Sequence, residues 1–343
     1  MAAVRLLLGQ PDFVLRLIAG RRVEVNGRRP LLTAQVLMRL SQFAPFDAPH
    51  RNGNLERARY ELNLAGRLAG AGLCPDVSTR DITVQTASQN LRLRRYEPAS
   101  FTPRSPALVY FHGGGFVLGS IDTHDSVCRL LAEEAGVCVI SVGYRLAPEH
   151  PFPAATEDAI AAYRYICSHS NEFNVAAHKI AVGGDSSGGN LAAVVAHAGA
   201  RGDVPQPAFS LLLTPATDAV GNFESHRLFG SGFRLDRDEW SWYRAQYMPD
   251  PANCTDPRAS VLYAEDLDDL PPTYIATCEF DPLRDEGEAY AQRLMDAGVH
   301  VALHRHEGQL HGFVNRVGLD SDSRAALIHA ARALRKGLTV EPS

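Results

Sequence analysis

The sequence predicts an α/β fold in which a mostly parallel sheet of eight strands is flanked by helices. From about residue 80 onward, short apolar runs recur that are almost continuous, as expected for parallel strands covered on both faces. Helical periodicities separate most of these runs, and strands that alternate with helices form a doubly wound sheet. A chain of 343 residues can bury such a core without a disulfide or a metal.

Residues 1–70 precede the sheet and have a helical pattern. Apolar residues recur at helical spacing between Phe13 and Ile18, and again between Leu31 and Leu40. A polar turn at Asn26-Gly27 separates the two runs. Because alternating strand patterns are missing from this region, we interpret it as an accessory helical element.

The strands follow in chain order. Residues 81–86 and 91–96 alternate between polar and apolar side chains, which predicts a hairpin of half-buried strands. The remaining predicted strands are Ala107–Phe111, Val137–Val142, Lys179–Val182, Phe209–Leu213, Thr273–Cys278 and Val301–His304.

Helical segments separate or follow these strands. They are His124–Ala135, Ala154–Ser168, Ser187–Ala200, Leu283–Ala297 and Ser321–Lys336. Residues 218–256 break the alternation, because they are aromatic and polar and too long for a simple connection. We interpret them as a cap segment inserted into a catalytic domain that consists of residues 71–217 and 257–343.

Charge and cysteine usage exclude several classes of function. The net charge is −5, so the basic footprint of a nucleic-acid-binding protein is missing. The six cysteines include no Cys-x-x-Cys pair, and we therefore expect reduced thiols and a cytoplasmic protein. We expect neither a cleaved signal peptide nor stable membrane insertion, because the apolar runs are too short.

Gly184-Asp-Ser-Ser-Gly188 carries the strongest chemical signal. It lies between an apolar strand and an apolar helix, which is the setting of a nucleophile elbow. Such a sharp turn lifts the Ser186 hydroxyl out of the sheet, and the helix N-terminus behind it favours developing negative charge. A glycine-rich turn without catalytic function is the alternative, which the flanking strand and helix disfavour.

His112-Gly-Gly-Gly-Phe116 follows a predicted strand and predicts an oxyanion hole. A serine that attacks an ester creates a tetrahedral oxyanion, which needs pre-aimed N–H donors. Consecutive glycines allow such donors to come close, and His-Gly-Gly-Gly is a known lipase and esterase motif. We assign Gly114, Gly115 and Ser187 as the donors. A phosphate-binding loop is the alternative, but the lysine of a P-loop is missing.

Ser186 needs a general base, which should lie late in the chain because the order in this fold is serine, acid, histidine. His311 lies in a loop beyond the last strand, where catalytic groups sit in open α/β sheets. His300, His304 and His306 are less suitable. His304 and His306 could suggest a metal site. Because a serine nucleophile and an oxyanion hole are already predicted, we expect no metal and no cofactor.

The acid should follow the Thr273–Cys278 strand, where four carboxylates compete. Asp281 stands directly before Pro282, which opens a helix, whereas Asp285 would lie one turn inside that helix. Asp281 could also be a plain helix N-cap. We assign it as the triad acid in preference to Asp285. The other competitors are Glu279 and Glu286.

These motifs, in this order, resemble the bacterial hormone-sensitive-lipase family (family IV) of esterases, which have the α/β-hydrolase fold. Tyr144–Glu149 and Pro151–Ala155 are also similar to that family. The resemblance extends from about residue 80 to the end of the chain. Asp185 is typical of its GDSAG branch. Ser187 departs from this branch, which usually has alanine there.

The resemblance implies several further properties. Residues 1–70 and 218–256 would form a helical cap above the pocket. Residues 144–155 would buttress the loop that begins with His112–Phe116, which we call the oxyanion loop. The expected substrate is a small ester with a short or medium acyl chain, and the expected assembly is a homodimer that forms through a sheet edge.

The substrate pocket and the exact reaction are the least constrained predictions. Asp185, Phe229, Ser231, Gly232 and Phe233 are candidate pocket residues, although the cap residues among them could instead pack the cap. A lipase, an amidase or a deacetylase would use the same triad. A binding protein without catalysis is a further alternative, which the complete triad disfavours.

Overall fold

A computed structural model describes residues 2–43, 53–86 and 89–339. Its centre is a single sheet of eight strands in the order β1-β2-β4-β3-β5-β6-β7-β8. The strands are β1 (Ser78–Gln85), β2 (Asn90–Glu97), β3 (Ser105–Phe111), β4 (Cys138–Gly143), β5 (Val175–Asp185), β6 (Ser210–Leu213), β7 (Thr273–Phe280) and β8 (Val301–Leu310).

Strand pairing confirms the predicted class. β1 pairs with β2, and β2 with β4, in antiparallel fashion, whereas all pairs from β4 through β8 are parallel. The hairpin expected from alternating side chains is therefore β1–β2. All eight residues of β7 are buried, as expected for a strand covered on both faces.

Helices cover the sheet on both faces. They are α1 (Ala2–Leu8), α2 (Asp12–Ala19), α3 (Leu32–Phe43), α4 (Leu55–Gly70), α5 (Asp125–Ala135), α6 (Ala154–Ser168), α7 (Ser187–Ala200), α8 (Glu224–Phe229), α9 (Arg237–Tyr247), α10 (Arg284–Asp296) and α11 (Ser321–Thr339). None of the helices in these ranges is both long and apolar enough to cross a bilayer.

Two apolar cores lie on opposite faces of the sheet. Val109 and Val182 belong to the core that includes α6 and α7. Their strand neighbours Leu108 and Ala181 belong to the core that includes α5 and α11. Alternate residues of a strand point to opposite faces, so the same short apolar runs supply both cores. The continuous apolar patterns in the sequence therefore have a direct structural cause.

Most strands are longer than the sequence predicted, and β5 and β8 exceed their predicted bounds the most. β5 begins at Val175 rather than Lys179, and β8 continues to Leu310 rather than ending near His304. The second half of β8 is mostly polar, so a search for apolar runs does not recognise it as a strand. The backbone nevertheless pairs with β7 as far as Phe280, and the Gly308 N–H donates to the carboxylate of Glu279 (2.8 Å).

The N-terminal helices and residues 218–256 meet at one end of the sheet. Ala34 and Met38 of α3 share an apolar cluster with Phe229 and Phe233 of the inserted segment. Phe280 and Leu310, the last residues of β7 and β8, complete this cluster. Both helical segments therefore contact the carboxyl end of the sheet. Residues 1, 44–52, 87–88 and 340–343 of the predicted domains lie outside the described residues.

Candidate active site

Ser186 stands alone between β5, which ends at Asp185, and α7, which begins at Ser187. Its backbone has φ 55° and ψ −120°, a conformation that side chains of L-residues rarely adopt. The Ser186 N–H donates to the Leu213 carbonyl (2.9 Å), which fixes the turn against β6. A Cβ atom at Gly188 would lie 2.0 Å from the Phe111 carbonyl oxygen, so the close approach of helix and strand requires glycine.

A chain of hydrogen bonds joins Ser186 to the predicted base and acid. The Oγ of Ser186 lies 3.1 Å from Nε2 of His311, and Nδ1 of His311 lies 2.8 Å from Oδ2 of Asp281. The other oxygen of Asp281 accepts from the Leu283 N–H (2.8 Å), which fixes the carboxylate. The structure thus brings together the three residues that were assigned from sequence, from three different loops at the carboxyl edge of the sheet.

The protonation of His311 is controlled by the carboxylates around it. Burial lowers the pKa of His311, but the charge and hydrogen bond of Asp281, aided by the charges of Asp185 and Glu239, raise it above its ordinary value of 6.5 overall. A raised pKa strengthens His311 as a proton acceptor while leaving it neutral at alkaline pH.

The competing carboxylates are engaged elsewhere. Asp285 accepts from the Ser225 N–H (2.8 Å) and from the Arg284 guanidinium. Glu286 is fully buried and accepts from the Thr217 N–H (2.7 Å). Glu279, as described above, accepts from β8.

The competing histidines do not reach the serine either. His304 and His306 both lie within β8, before the strand ends at Leu310, whereas His311 follows it. His311 is therefore the histidine that the structure pairs with Ser186.

The three predicted oxyanion donors line the cavity beside Ser186. They are Gly114, Gly115 and Ser187. Ser187 is the first residue of α7, and the N–H groups of a first helical turn have no acceptor within the helix. Gly115 has φ 62°, and a Cβ atom there would lie 2.5 Å from Cγ of Tyr243. The loop thus needs glycine both for its conformation and for space.

Asp185 links the turn that carries Ser186 to the oxyanion loop. Its Oδ1 accepts from the Tyr110 hydroxyl (2.7 Å) and from the Gly113 N–H (3.1 Å), and the His124 ring lies 3.2 Å away. Burial raises the pKa of Asp185, but His124, Tyr110 and His112 lower it below 3.8 overall. This carboxylate therefore holds the two halves of the site together, beyond the pocket role predicted for it.

Residues 144–155 support the oxyanion loop from behind, as the resemblance implied. The Tyr144 hydroxyl donates to the His112 carbonyl (2.7 Å), and the two rings are stacked with centroids 4.3 Å apart. The Ala147 N–H donates to the Phe116 carbonyl (2.9 Å). Burial lowers the pKa of His112 to about 3, so this ring is neutral.

A cavity of about 200 Å³ opens above Ser186. The oxyanion loop, His311 and α9 contribute to its lining. The residues that α9 contributes are Glu239, Trp240, Tyr243, Arg244 and Tyr247. Tyr247 stacks on Phe116 with centroids 3.8 Å apart, so the aromatic wall is attached to the oxyanion loop.

The structure places four of the predicted pocket residues away from this cavity. Phe229 and Phe233 pack against Phe280 with ring centroids 5.5 and 5.9 Å away, and Ser231 and Gly232 are exposed. Apolar contacts with the strand ends outweigh exposure to a cavity for the two phenylalanines. Of the predicted pocket residues, only Asp185 borders the cavity.

Sequence reasoning missed the wall that α9 provides. Trp240, Tyr243, Arg244 and Tyr247 follow one another at helical spacing, so they share one face. That spacing was the available signal. It does not reveal which face of the helix turns toward the catalytic serine.

The site has the parts needed for nucleophilic attack on a carbonyl carbon. These are a serine hydroxyl, a histidine that accepts its proton, a carboxylate that orients the histidine and N–H groups for an oxyanion. All six cysteines are free, and none of them borders the cavity. Three histidines group together away from this site.

Comparisons with known proteins agree with this fold and site. A family model described as alpha/beta hydrolase fold matches residues 108–315. The chain is 40% identical over 331 residues to carboxylic ester hydrolase LipN of Mycobacterium tuberculosis, covering 94% of this chain and 87% of that protein. It is 37% identical to an ethyl acetate hydrolase of Pseudomonas putida, covering 79% and 86% of the two chains.

A solved structure of a hyperthermophilic esterase from the archaeon Pyrobaculum calidifontis is also similar. It superimposes with a TM-score of 0.84 at 38% sequence identity, covering 90% of this chain and 98% of that one. The fold and site are those of a hydrolase built on a parallel sheet. The chain belongs to the α/β-hydrolase family, in its hormone-sensitive-lipase group of carboxylic-ester hydrolases.

Proposed function

We propose that this protein is a serine esterase that hydrolyses short- to medium-chain carboxylic esters through an acyl-enzyme intermediate. The observation that carries the proposal is the hydrogen-bonded chain from Ser186 through His311 to Asp281 at the floor of the cavity. The names of the relatives, a carboxylic ester hydrolase and an ethyl acetate hydrolase, support the same reaction class.

Catalysis begins when His311 removes the proton from Ser186 as its oxygen attacks the ester carbonyl. Asp281 holds the ring with Nδ1 protonated and stabilises the imidazolium that forms. The N–H groups of Gly114, Gly115 and Ser187 stabilise the oxyanion. The tetrahedral intermediate collapses and His311 protonates the departing alcohol. A water molecule then attacks the acyl-enzyme with His311 as its base, which releases the acid and restores Ser186.

The preference for small esters follows from the shape of the cavity. Its volume is about 200 Å³, and the side chains of Trp240 and Tyr243 share its lining with Ser186. Residues 1–70 and 218–256 act as a cap whose inserted helix α9 limits the space above Ser186. A long acyl chain would need this wall to move, whereas a short one would not.

We extend the proposal to the setting of the enzyme, which we expect to be cytoplasmic and homodimeric. Six free thiols are characteristic of a reducing compartment. β8 ends the sheet and presents the exposed residues Ala302 and Leu303. We expect light scattering to give twice the chain mass of 37.3 kDa. A mass of one chain at micromolar concentration would contradict the dimer.

Hydrolysis of p-nitrophenyl esters from acetate to palmitate tests the proposed activity. We expect kcat/KM to peak at short or medium chains and kcat to fall by several orders of magnitude in Ser186→Ala. Activity that increases sharply above the solubility limit of the substrate would indicate a lipase instead. Activity toward amides but not esters would indicate an amidase. No activity toward either would indicate a protein that binds a small ligand without catalysis.

A further inference from the structure

Three histidines converge at the sheet edge, at a position that the proposed ester chemistry does not use. His304 and His306 are two residues apart in β8, so their side chains lie on the same face of the strand. His329 of α11 packs over that face. The ring centroid of His304 lies 4.5 Å from that of His306 and 4.3 Å from that of His329.

The ligand atoms of these residues are close enough for a single ion. One nitrogen from each of the three rings can be chosen so that all lie within 4.8 Å of one another. Zinc–nitrogen bonds are about 2.0–2.1 Å long, so small side-chain rotations would bring the three nitrogens around one ion. His304 and His329 are partly exposed, which gives an ion access from solvent.

His306 supplies an independent indication of a missing ligand. It is 8% exposed, and its Nε2 has no hydrogen-bond partner among the described residues. A buried polar atom without a partner is costly, and such atoms in native proteins often mark an ion or water. A metal bound at Nε2 would remove that cost.

Metal ions bind the neutral form of imidazole through a ring nitrogen. The positive charge of Arg332, which acts on His329, opposes a cation and limits the affinity of the site.

A tyrosine orients one of the three rings. Nδ1 of His329 lies 2.8 Å from the Tyr274 hydroxyl of β7, which leaves Nε2 of His329 for a metal. With Nδ1 protonated, His329 would donate to that hydroxyl, just as a metal-binding histidine donates through its second ring nitrogen. Sequence analysis expected no metal because of the predicted serine nucleophile, and it did not consider His329, whose proximity to β8 cannot be seen until the fold is known.

We propose that His304, His306 and His329 form a binding site for a divalent transition metal, with a fourth position open to solvent. Three imidazoles suit zinc, nickel or copper, whereas magnesium and calcium prefer oxygen ligands. A bound ion would join the edge strand β8 to the C-terminal helix α11. Because β8 leads directly to the loop that carries His311, the ion would stabilise the base of the catalytic loop.

Zinc titration of the full chain without a histidine tag tests this site. Chelator-treated wild type, His304→Gln, His329→Gln and the control His178→Gln are compared by isothermal titration calorimetry. His178 is exposed on β5, far along the sheet from β8. We expect one zinc ion per chain in wild type and control, and binding at least about tenfold weaker in His304→Gln and in His329→Gln.

The same samples give a second readout that separates this site from the catalytic histidine. Zinc should raise the melting temperature of wild type and His178→Gln, but not of the two site variants, because an ion that binds the native state stabilises it. Zinc binding of equal strength in all four proteins, or no zinc binding to wild type, would overturn the proposal. Retained binding in both His304→Gln and His329→Gln would place the ion outside this group of histidines and would likewise overturn the proposal.

Discussion

At the scale of single residues, the proposed reaction depends on which carboxylate supports His311. Asp281 lies 2.8 Å from Nδ1 of His311, whereas Asp285 accepts from Ser225 and Arg284. The two carboxylates are four positions apart, and both stand near the start of α10. The pair therefore offers a matched comparison.

Asp281→Asn should lower kcat by about 10³- to 10⁴-fold, because the amide favours the wrong tautomer of His311. Asp285→Asn should lower kcat less than about tenfold, since that side chain accepts from Ser225 of the cap segment and from Arg284. Steady-state kinetics on p-nitrophenyl butyrate measures both. If Asp285→Asn were the more damaging variant, Asp285 would be the acid.

The pH dependence of kcat/KM should report the raised pKa of His311. Protonated His311 cannot accept the Ser186 proton, so activity should fall as pH decreases, with a midpoint above 6.5. Glu239 contributes to that raised pKa, and Glu239→Gln should therefore shift the midpoint to lower pH. An unchanged or higher midpoint in Glu239→Gln would show that this carboxylate does not act on His311.

Sequence alone located the hydrogen-bonded Ser186, His311 and Asp281 better than the residues that line the cavity. Ser186 could be assigned because a strand, a tight turn and a helix are all visible as local patterns. Asp281 and His311 followed from chain order and from their positions after apolar strands. Phe229 and Phe233 could not be placed, because an aromatic side chain in a cap can face a cavity or a strand end, and only tertiary packing decides.

At the scale of secondary-structure elements, the side chain of Arg59 links helix α4 to the oxyanion loop and to the segment that supports this loop. The guanidinium of Arg59 donates to the carbonyls of Val117 (3.0 Å) and Ala147 (2.9 Å) and pairs with Glu149 (2.8 Å). Arg59 thereby joins the N-terminal helical region to the oxyanion loop and to its supporting segment. The hydrogen bonds from the half-buried guanidinium to the two carbonyls should contribute more to stability than the exposed ion pair with Glu149.

Arg59→Leu should lower the melting temperature by several degrees and decrease kcat, because Val117 and Ala147 lose their donor. Glu149→Gln should have a much smaller effect, because Arg59 keeps both carbonyl acceptors. Differential scanning calorimetry and steady-state kinetics measure the two effects. Equal destabilisation by both substitutions would show that the ion pair, rather than the carbonyl contacts, holds α4.

Strands were predictable as elements, but their ends were not. The centres of β3 through β7 are apolar and were recognised, because both faces of these strands are buried. β8 lies at the edge and alternates with polar residues beyond His304. Its extension depends on pairing with β7 and on Glu279, contacts that a local pattern cannot contain.

At the scale of the whole molecule, the strained turn at Ser186 links activity to stability. Its φ of 55° is unfavourable for a residue with a side chain but costs glycine nothing. A residue held in such a conformation costs of the order of 1–3 kcal/mol, which the surrounding sheet and helix must offset. The fold thus gives up stability to expose the serine hydroxyl.

Ser186→Gly should therefore melt at a higher temperature than Ser186→Ala, although both are inactive. Relief of strain should exceed the ~0.4–1 kcal/mol that glycine loses through greater freedom in the unfolded chain. The comparison of two inactive variants removes any effect of bound substrate. A lower melting temperature for Ser186→Gly would show that the turn carries no strain.

Labelling with diethyl p-nitrophenyl phosphate tests the proposed nucleophile most directly. Ser186 Oγ, losing its proton to His311, should displace p-nitrophenolate and form a stable phosphoester, since the tetrahedral phosphorus, unlike the planar acyl carbonyl, is attacked only slowly by the water that His311 activates. Intact-mass analysis and peptide mapping should find one diethylphosphoryl group per chain, on the peptide that contains Ser186, and none in Ser186→Ala. Labelling at another residue, or ester hydrolysis that persists in fully labelled protein, would contradict Ser186 as the nucleophile.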